Sequence, residues 1–157
     1  MLTIEKKPVK VGKFVSTEHV ETVRRNYKEH RWLQNSKRIG KVDSLSVWFS
    51  LADIEDFLEK LKEHGGDGVR FYFGAYNKEY AEKPLYAGRQ TIVMVATRQK
   101  QTLNGETNKD IYITTEKGTN ILAYNVGRPC PPFCGEGNDG GIDISIVDRS
   151  NGNMIVL

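Results

Sequence analysis

The sequence predicts an α+β domain: two main helices on a mostly antiparallel sheet of five to seven strands. Three observations lead there. Two stretches place apolar residues at helical spacing behind a capping signal. Most other apolar residues fall in short runs that alternate between two faces. Turn signals such as Lys117-Gly118 and Asn151-Gly152 separate several of those runs at hairpin spacing.

The elements follow in order. Residues 1–15 read as an N-terminal arm, in which Val9, Val11 and Val15 suggest a short strand or strap. Thr17 is placed as a helix cap, with Glu18 and Glu21 in the first turn, where the helix dipole favours acids. The helix runs to about Gln34, with Val20, Val23 and Tyr27 on one face and Asn35 to Gly40 breaking it. Leu45 to Phe49 is a strand. Ser50 and Asp53 then stand close to a capping box for a second helix, whose Ile54, Phe57, Leu58 and Leu61 repeat at i, i+3, i+4 and i+7. Gly65-Gly66 ends it. Val69 to Tyr76 is the next strand, with Val69, Phe71 and Phe73 on one face and Arg70 and Tyr72 on the other. A Tyr-bearing loop, Asn77 to Arg89, joins it to Thr91–Thr97 as a long hairpin. The run from Leu45 to Tyr76 is also compatible with a right-handed parallel crossover. Further strands are expected at Asp110–Thr114 and Asn120–Tyr124. After a Pro/Gly/Cys loop at 127–141 come Ile142–Val147 and Met154–Leu157.

The whole-chain numbers set the class. At 157 residues the chain suits one domain, 1–157, with 38% hydrophobic and 27% charged residues, a globular balance. No segment approaches the ~20 apolar residues of a membrane-spanning helix, and the N-terminus shows no secretory pattern. Cys130 and Cys134 are too few for a disulfide scaffold, so the cytoplasm is the expected compartment. A net charge of +3 is too mild to imply nucleic acid by itself.

Four places could carry chemistry. Cys130-Pro-Pro-Phe-Cys134 could close a small disulfide loop, hold a metal or supply a nucleophile. The three histidines lie on predicted helices without pair spacing, and redox motifs use two intervening residues, so a rigid turn packing Phe133 and two buried thiols is the reading carried forward. The glycine-rich Gly135–Gly141 segment lacks the Lys-Ser/Thr ending of a phosphate loop. Its Glu136 and Asp139, with Asp143, could ligate a hard cation, but a mobile, solvated loop is the expected reading. The first helix presents Arg24, Lys28 and Arg31 with Trp32, a pattern suited to phosphate contact and base stacking or simply to a solvated face. Arg70 is the fourth. A cation inside an otherwise apolar strand requires an acid partner or a ligand anion if its face is covered. With Tyr72, Trp48, Tyr76 and Arg89, and with Tyr80 and Tyr86 at the rim, it outlines an aromatic pocket with two cationic donors.

The segments Ser46-Val-Trp-Phe-Ser-Leu, Gly68-Val-Arg-Phe-Tyr-Phe-Gly-Ala-Tyr, Arg89-Gln-Thr-Ile-Val and Cys130-Pro-Pro-x-Cys resemble a group of small uncharacterised bacterial proteins over roughly residues 43 to 140. That resemblance implies a bacterial, cytoplasmic origin and directs attention to Arg70, Tyr72, Arg89, Cys130 and Cys134. It carries no activity.

No hydrolase signature is present, and no catalytic residue or cofactor is assigned. The function expected is a non-enzymatic ligand-binding or protein-interaction module, its ligand-binding candidates being Trp48, Arg70, Tyr72, Tyr76 and Arg89, and its partner an anionic small molecule or a protein. Nucleic-acid binding through Arg24, Lys28, Arg31 and Trp32 is the first alternative. A cysteine-dependent enzyme using Cys130 or Cys134 is the second. The C-terminal hairpin leaves a sheet edge at which a second copy could pair.

Overall fold

The computed structural model describes residues 10–134 and, for the backbone, 145–148 and 153–156. It is a single α+β domain of mostly antiparallel strands. The predicted Gly135–Gly141 loop and Asp143 lie outside the described residues, as do residues 1–9 of the arm.

The first helical run begins one residue earlier than expected. Ser16, not Thr17, is the N-cap, and its Oγ accepts from the His19 amide at 3.2 Å. The run comprises α1 (Thr17–Tyr27), a π turn (Lys28–Trp32) and α2 (Leu33–Ile39), and stops at Gly40, whose φ of 72° is left-handed. It therefore passes through Asn35, where a break was predicted. Asn35 and Ser36 usually favour local backbone bonds outside helices. Here their side chains reach Gln90 and the Asp43 amide instead.

The second helix matches its prediction. Strand β1 (Ser46–Trp48) leads into α3 (Leu51–Glu63) through a full capping box, with Ser50 Oγ accepting from the Asp53 amide and Asp53 Oδ2 from the Ser50 amide, both at 3.0 Å. Helix α3 buries Phe57 and Leu61 against Met94 and Ala96. Each such side chain stabilises the fold by about 2 kcal/mol. Phe49, Leu58, Val69, Ile111, Leu122 and Tyr124 complete this core. Gly66 is needed at the exit: a Cβ there would sit 2.6 Å from Leu61 Cγ.

Strand β2 (Gly68–Ala75) pairs antiparallel with β3 (Gln90–Thr102), as the long hairpin predicts. The other edge of β3 holds β4 (Gly105–Asp110) and, nearer its start, β7 (Ala123–Tyr124). Strand β4 escapes sequence reasoning because Gly-Glu-Thr-Asn-Lys-Asp has no apolar residue to alternate. A second hairpin joins β5 (Tyr112–Thr115) and β6 (Gly118–Ile121), with Leu122 interrupting what was read as one strand to Tyr124. Strand β8 (Arg128–Cys130) pairs with β1, so β1 and β2 share no sheet and the suggested parallel crossover does not form. The C-terminal strands, β9 (Ser145–Asp148) and β10 (Asn153–Val156), pair antiparallel.

Candidate functional site

The five ligand-binding candidates fall into separate groups. Arg70 and Tyr72 stay together on one face of β2, where both meet Asp110 from β4. Arg70 Nη1 donates to Asp110 Oδ1 at 2.6 Å, Tyr72 Oη to Asp110 Oδ2 at 2.5 Å, and Arg70 Nη2 to the Asn108 carbonyl at 2.9 Å. The guanidinium is held above its usual pKa, first by the Tyr72 hydroxyl and then by Asp110, against partial desolvation. The acid that answers this cation was not identifiable from sequence, because it lies 40 residues away.

Arg89 belongs to a different place. It is 8% exposed, and Nη1 donates to the Val42 carbonyl and, at 3.2 Å, to the Pro131 carbonyl. Burial lowers its pKa, and the nearby Asp43 carboxylate partly restores it. Asp43 is 2% exposed, and its Oδ1 takes the Ser44 amide at 2.8 Å and the Gln90 amide at 2.7 Å. Trp32 Nε1 donates to the Asp43 carbonyl at 2.8 Å, and Tyr27 Oη to Gln90 Oε1 at 2.8 Å. Burial, then Asp43, raises the Tyr27 pKa. This corner docks the first helical run onto the start of β3.

The same bonds bear on the basic helix. Trp32 spends its indole N–H on Asp43, and Lys28 Nζ lies 5.5 Å from the centre of its ring. Arg31 is exposed, and Arg24 is half-buried.

Tyr76 stands at the end of β2 in an aromatic column. It stacks on Tyr80 at 4.8 Å and meets Tyr86 at 5.5 Å, and Tyr86 in turn meets Phe133 at 5.8 Å. Trp48, on β1, carries Arg128 over its ring at 5.0 Å and is 48% exposed. Cys130 and Cys134 are joined in a disulfide, which corrects the expectation of two buried thiols. With both sulfurs engaged, neither is a thiolate for metal or substrate in this state. Among the described residues, no three His, Cys, Asp or Glu side chains group as a metal site. An open cleft of about 490 Å³ runs along the β3–β4 hairpin, with Arg98, Lys100 and Lys109 in its wall.

The feature that sequence reasoning missed is on β2 itself. Phe71 is 58% exposed and Phe73 is 82% exposed. Their face was legible from the alternation. Their exposure was not, because it depends on how far α3 reaches across the sheet: the helix covers Met94 and Ala96 on β3 and stops short of these rings.

The backbone beside them is open as well. Ala96 gives its N–H to the Leu122 carbonyl and takes the N–H of Ile111, so its groups point away from β2. By antiparallel alternation the odd residues of β3 then point towards β2. The register pairs Arg70 with Val95 and Tyr72 with Val93, so the even residues of β2 are the bonded ones. The Tyr76 N–H to Arg89 carbonyl bond, at 3.0 Å, continues that pattern. Val69, Phe71 and Phe73 therefore direct their N–H and C=O groups outward, and no described strand pairs with them. The pairing runs from Gly68↔Thr97 to Ala75↔Gln90 without a bulge.

Comparison with protein-family models, curated proteins and solved structures returns no match. Among the described residues no helix is long and apolar enough to cross a membrane.

Proposed function

We propose that this chain is a non-enzymatic protein-interaction module that takes an extended strand along the outer edge of β2. The observation that carries this reading is the combination on β2 of a bulge-free edge, unpaired among the described residues, with two exposed phenylalanines. Folded proteins blunt such edges with proline, lysine, bulges or a covering element, because an open edge is a template for another chain. Strand β2 has none of the first three, and its single charge, Arg70, is neutralised by Asp110. In strand addition the main-chain bonds supply affinity, and the side chains on alternate faces supply specificity. Phe71 and Phe73 would cover one face of the incoming strand.

The test uses a fluorescein-labelled octapeptide of alternating Thr and Val as a generic strand. Saturable binding to dilute protein is expected. Phe73→Pro should remove it, since proline there deletes an outward N–H and leaves the β2–β3 ladder whole. Absence of binding to the unsubstituted protein, or unchanged binding to Phe73→Pro, would refute the reading.

A further inference from the structure

An edge that accepts a strand accepts its own twin when the register suits both. Resting on the reading of β2 as a strand-accepting edge, we propose that its partner is a second copy of this chain, joined by antiparallel β2–β2 pairing about a two-fold axis at Tyr72.

The hydrogen-bond alternation restricts the choice. Only odd residues of β2 face outward, so only registers that set odd against odd can bond. Centring the axis on Tyr72 sets Phe71 opposite Phe73 of the other copy twice over, and Val69 opposite Ala75 twice over. Each of these is a hydrogen-bonded pair, and all lie within the straight Gly68–Ala75 segment. The four most exposed rings on the two edges then meet on one face. On the other face the two Tyr72 residues meet, and Arg70 falls opposite Gly74, which has no side chain to obstruct it. No like charges are brought face to face, because each Arg70 stays with its own Asp110. The contact is isologous and closes as a dimer, so it does not propagate into a fibre. Its outcome would be one antiparallel sheet in the order β4-β3-β2-β2-β3-β4.

The area fixes the expected strength. The four phenylalanine rings would remove roughly 550 Å² from water, given about 200 Å² for each full side chain. Specific interfaces bury about 1,200 Å² or more in total. The paired backbones and the Tyr72 rings must supply the rest, which places this at the weak end: a reversible, concentration-dependent dimer.

Sedimentation equilibrium of the full chain from low to high micromolar concentration is the first experiment. The mass should rise from 17.8 kDa towards twice that value, and Phe73→Lys should hold it at the monomer with an unchanged urea midpoint. Engineered cysteines then read the register. In the Tyr72-centred pairing the two Tyr72 Cα atoms are about 4.5 Å apart, within disulfide range. Tyr72→Cys should therefore link to itself under mild oxidation. Phe71→Cys should not link to itself, but should link to Phe73→Cys when the two variants are mixed. A monomer at every concentration that still binds the Thr-Val peptide would overturn the second-copy partner and leave strand addition standing. A monomer that binds no peptide would overturn both. A dimer that survives Phe73→Lys, or in which Phe71→Cys is the variant that links to itself, would overturn this interface.

Discussion

The Asp43–Arg89 corner, where Asp43 bonds to the start of β3, and the outer edge of β2 both border one hairpin and invert the usual distribution of side chains in opposite ways. At the corner a carboxylate and a guanidinium are buried, at 2% and 8% exposure. On the edge two phenylalanines are exposed, at 58% and 82%. The corner tolerates burial because its two charged side chains are mostly bonded: Asp43 takes two amides and Arg89 Nη1 gives to two carbonyls, while Arg89 Nε is buried without a partner among the described residues. Among the described residues the β2 edge has no such closure. Even the opposite side of β3 is finished locally, where Asn125 Nδ2 donates to the Ile92 carbonyl at 2.9 Å. The contrast separates a region largely bonded within the chain from one whose outward donors, acceptors and rings meet no described strand.

The sharpest way to break the comparison is at the corner. Asp43→Ala leaves the Ser44 and Gln90 amides without their acceptor and Arg89 without its compensating charge. It should cost roughly 3 kcal/mol or more, read from urea denaturation. A loss under 1 kcal/mol would mean that solvent reaches the corner and that the contrast is not real. Next in size is the disulfide. Cys134→Ser opens a five-residue loop whose Pro131 carbonyl accepts from Arg89. A loop of that length is worth about 2 kcal/mol by chain entropy, so the urea midpoint should fall and the same drop should follow reduction of the parent protein.

The cap of α3 ranks third. Ser50→Ala should cost about 1 kcal/mol. Its partner Asp53 gives the cap a pH signature. The Tyr124 hydroxyl, donating at 2.6 Å, and then Ser50 hold the Asp53 pKa below its ordinary 3.8. A depressed carboxylate pKa stabilises the fold above the unfolded-state value and loses that contribution as pH falls through the folded one. Melting temperature should therefore drop below pH 3.8 by less in Tyr124→Phe than in the parent. A parallel drop in both would detach Tyr124 from the titration. The smallest stability effect belongs to the edge: Phe73→Lys should change stability by no more than about 0.5 kcal/mol, as for other surface substitutions. A large loss would show that Phe73 is part of the core after all.

The uneven legibility of the sequence has the same origin as the contrast between the two regions. Features written locally could be read: the Ser50–Asp53 capping box, the apolar stripe from Ile54 to Leu61, and the β2–β3 hairpin. Features completed at a distance could not. Strand β1 finds its partner 80 residues on, at β8, rather than beside β2. Arg70 finds Asp110, and the π turn and α2 persist because Asn35 and Ser36 bond across to Gln90 and Asp43. The candidate site shows both sides of this. Arg70 and Tyr72 were correctly set on one face of one strand, whereas the neighbours expected around them, Trp48 and Arg89, have partners of their own at β8 and at the corner. The open edge had a sequence signal, the run Phe71-Tyr72-Phe73. What it lacked was any sign that α3, the helix that buries Phe57 and Leu61, would be spent covering β3.

Residue-resolved amide hydrogen exchange along β2 tests the central claim most directly. In dilute protein the amides of Val69, Phe71 and Phe73 should exchange far faster than those of Arg70 and Tyr72, and they should become protected when the Thr-Val peptide is added or the protein is concentrated. Equal protection of odd and even amides in dilute, peptide-free protein would mean that the edge is already covered, and would contradict the account.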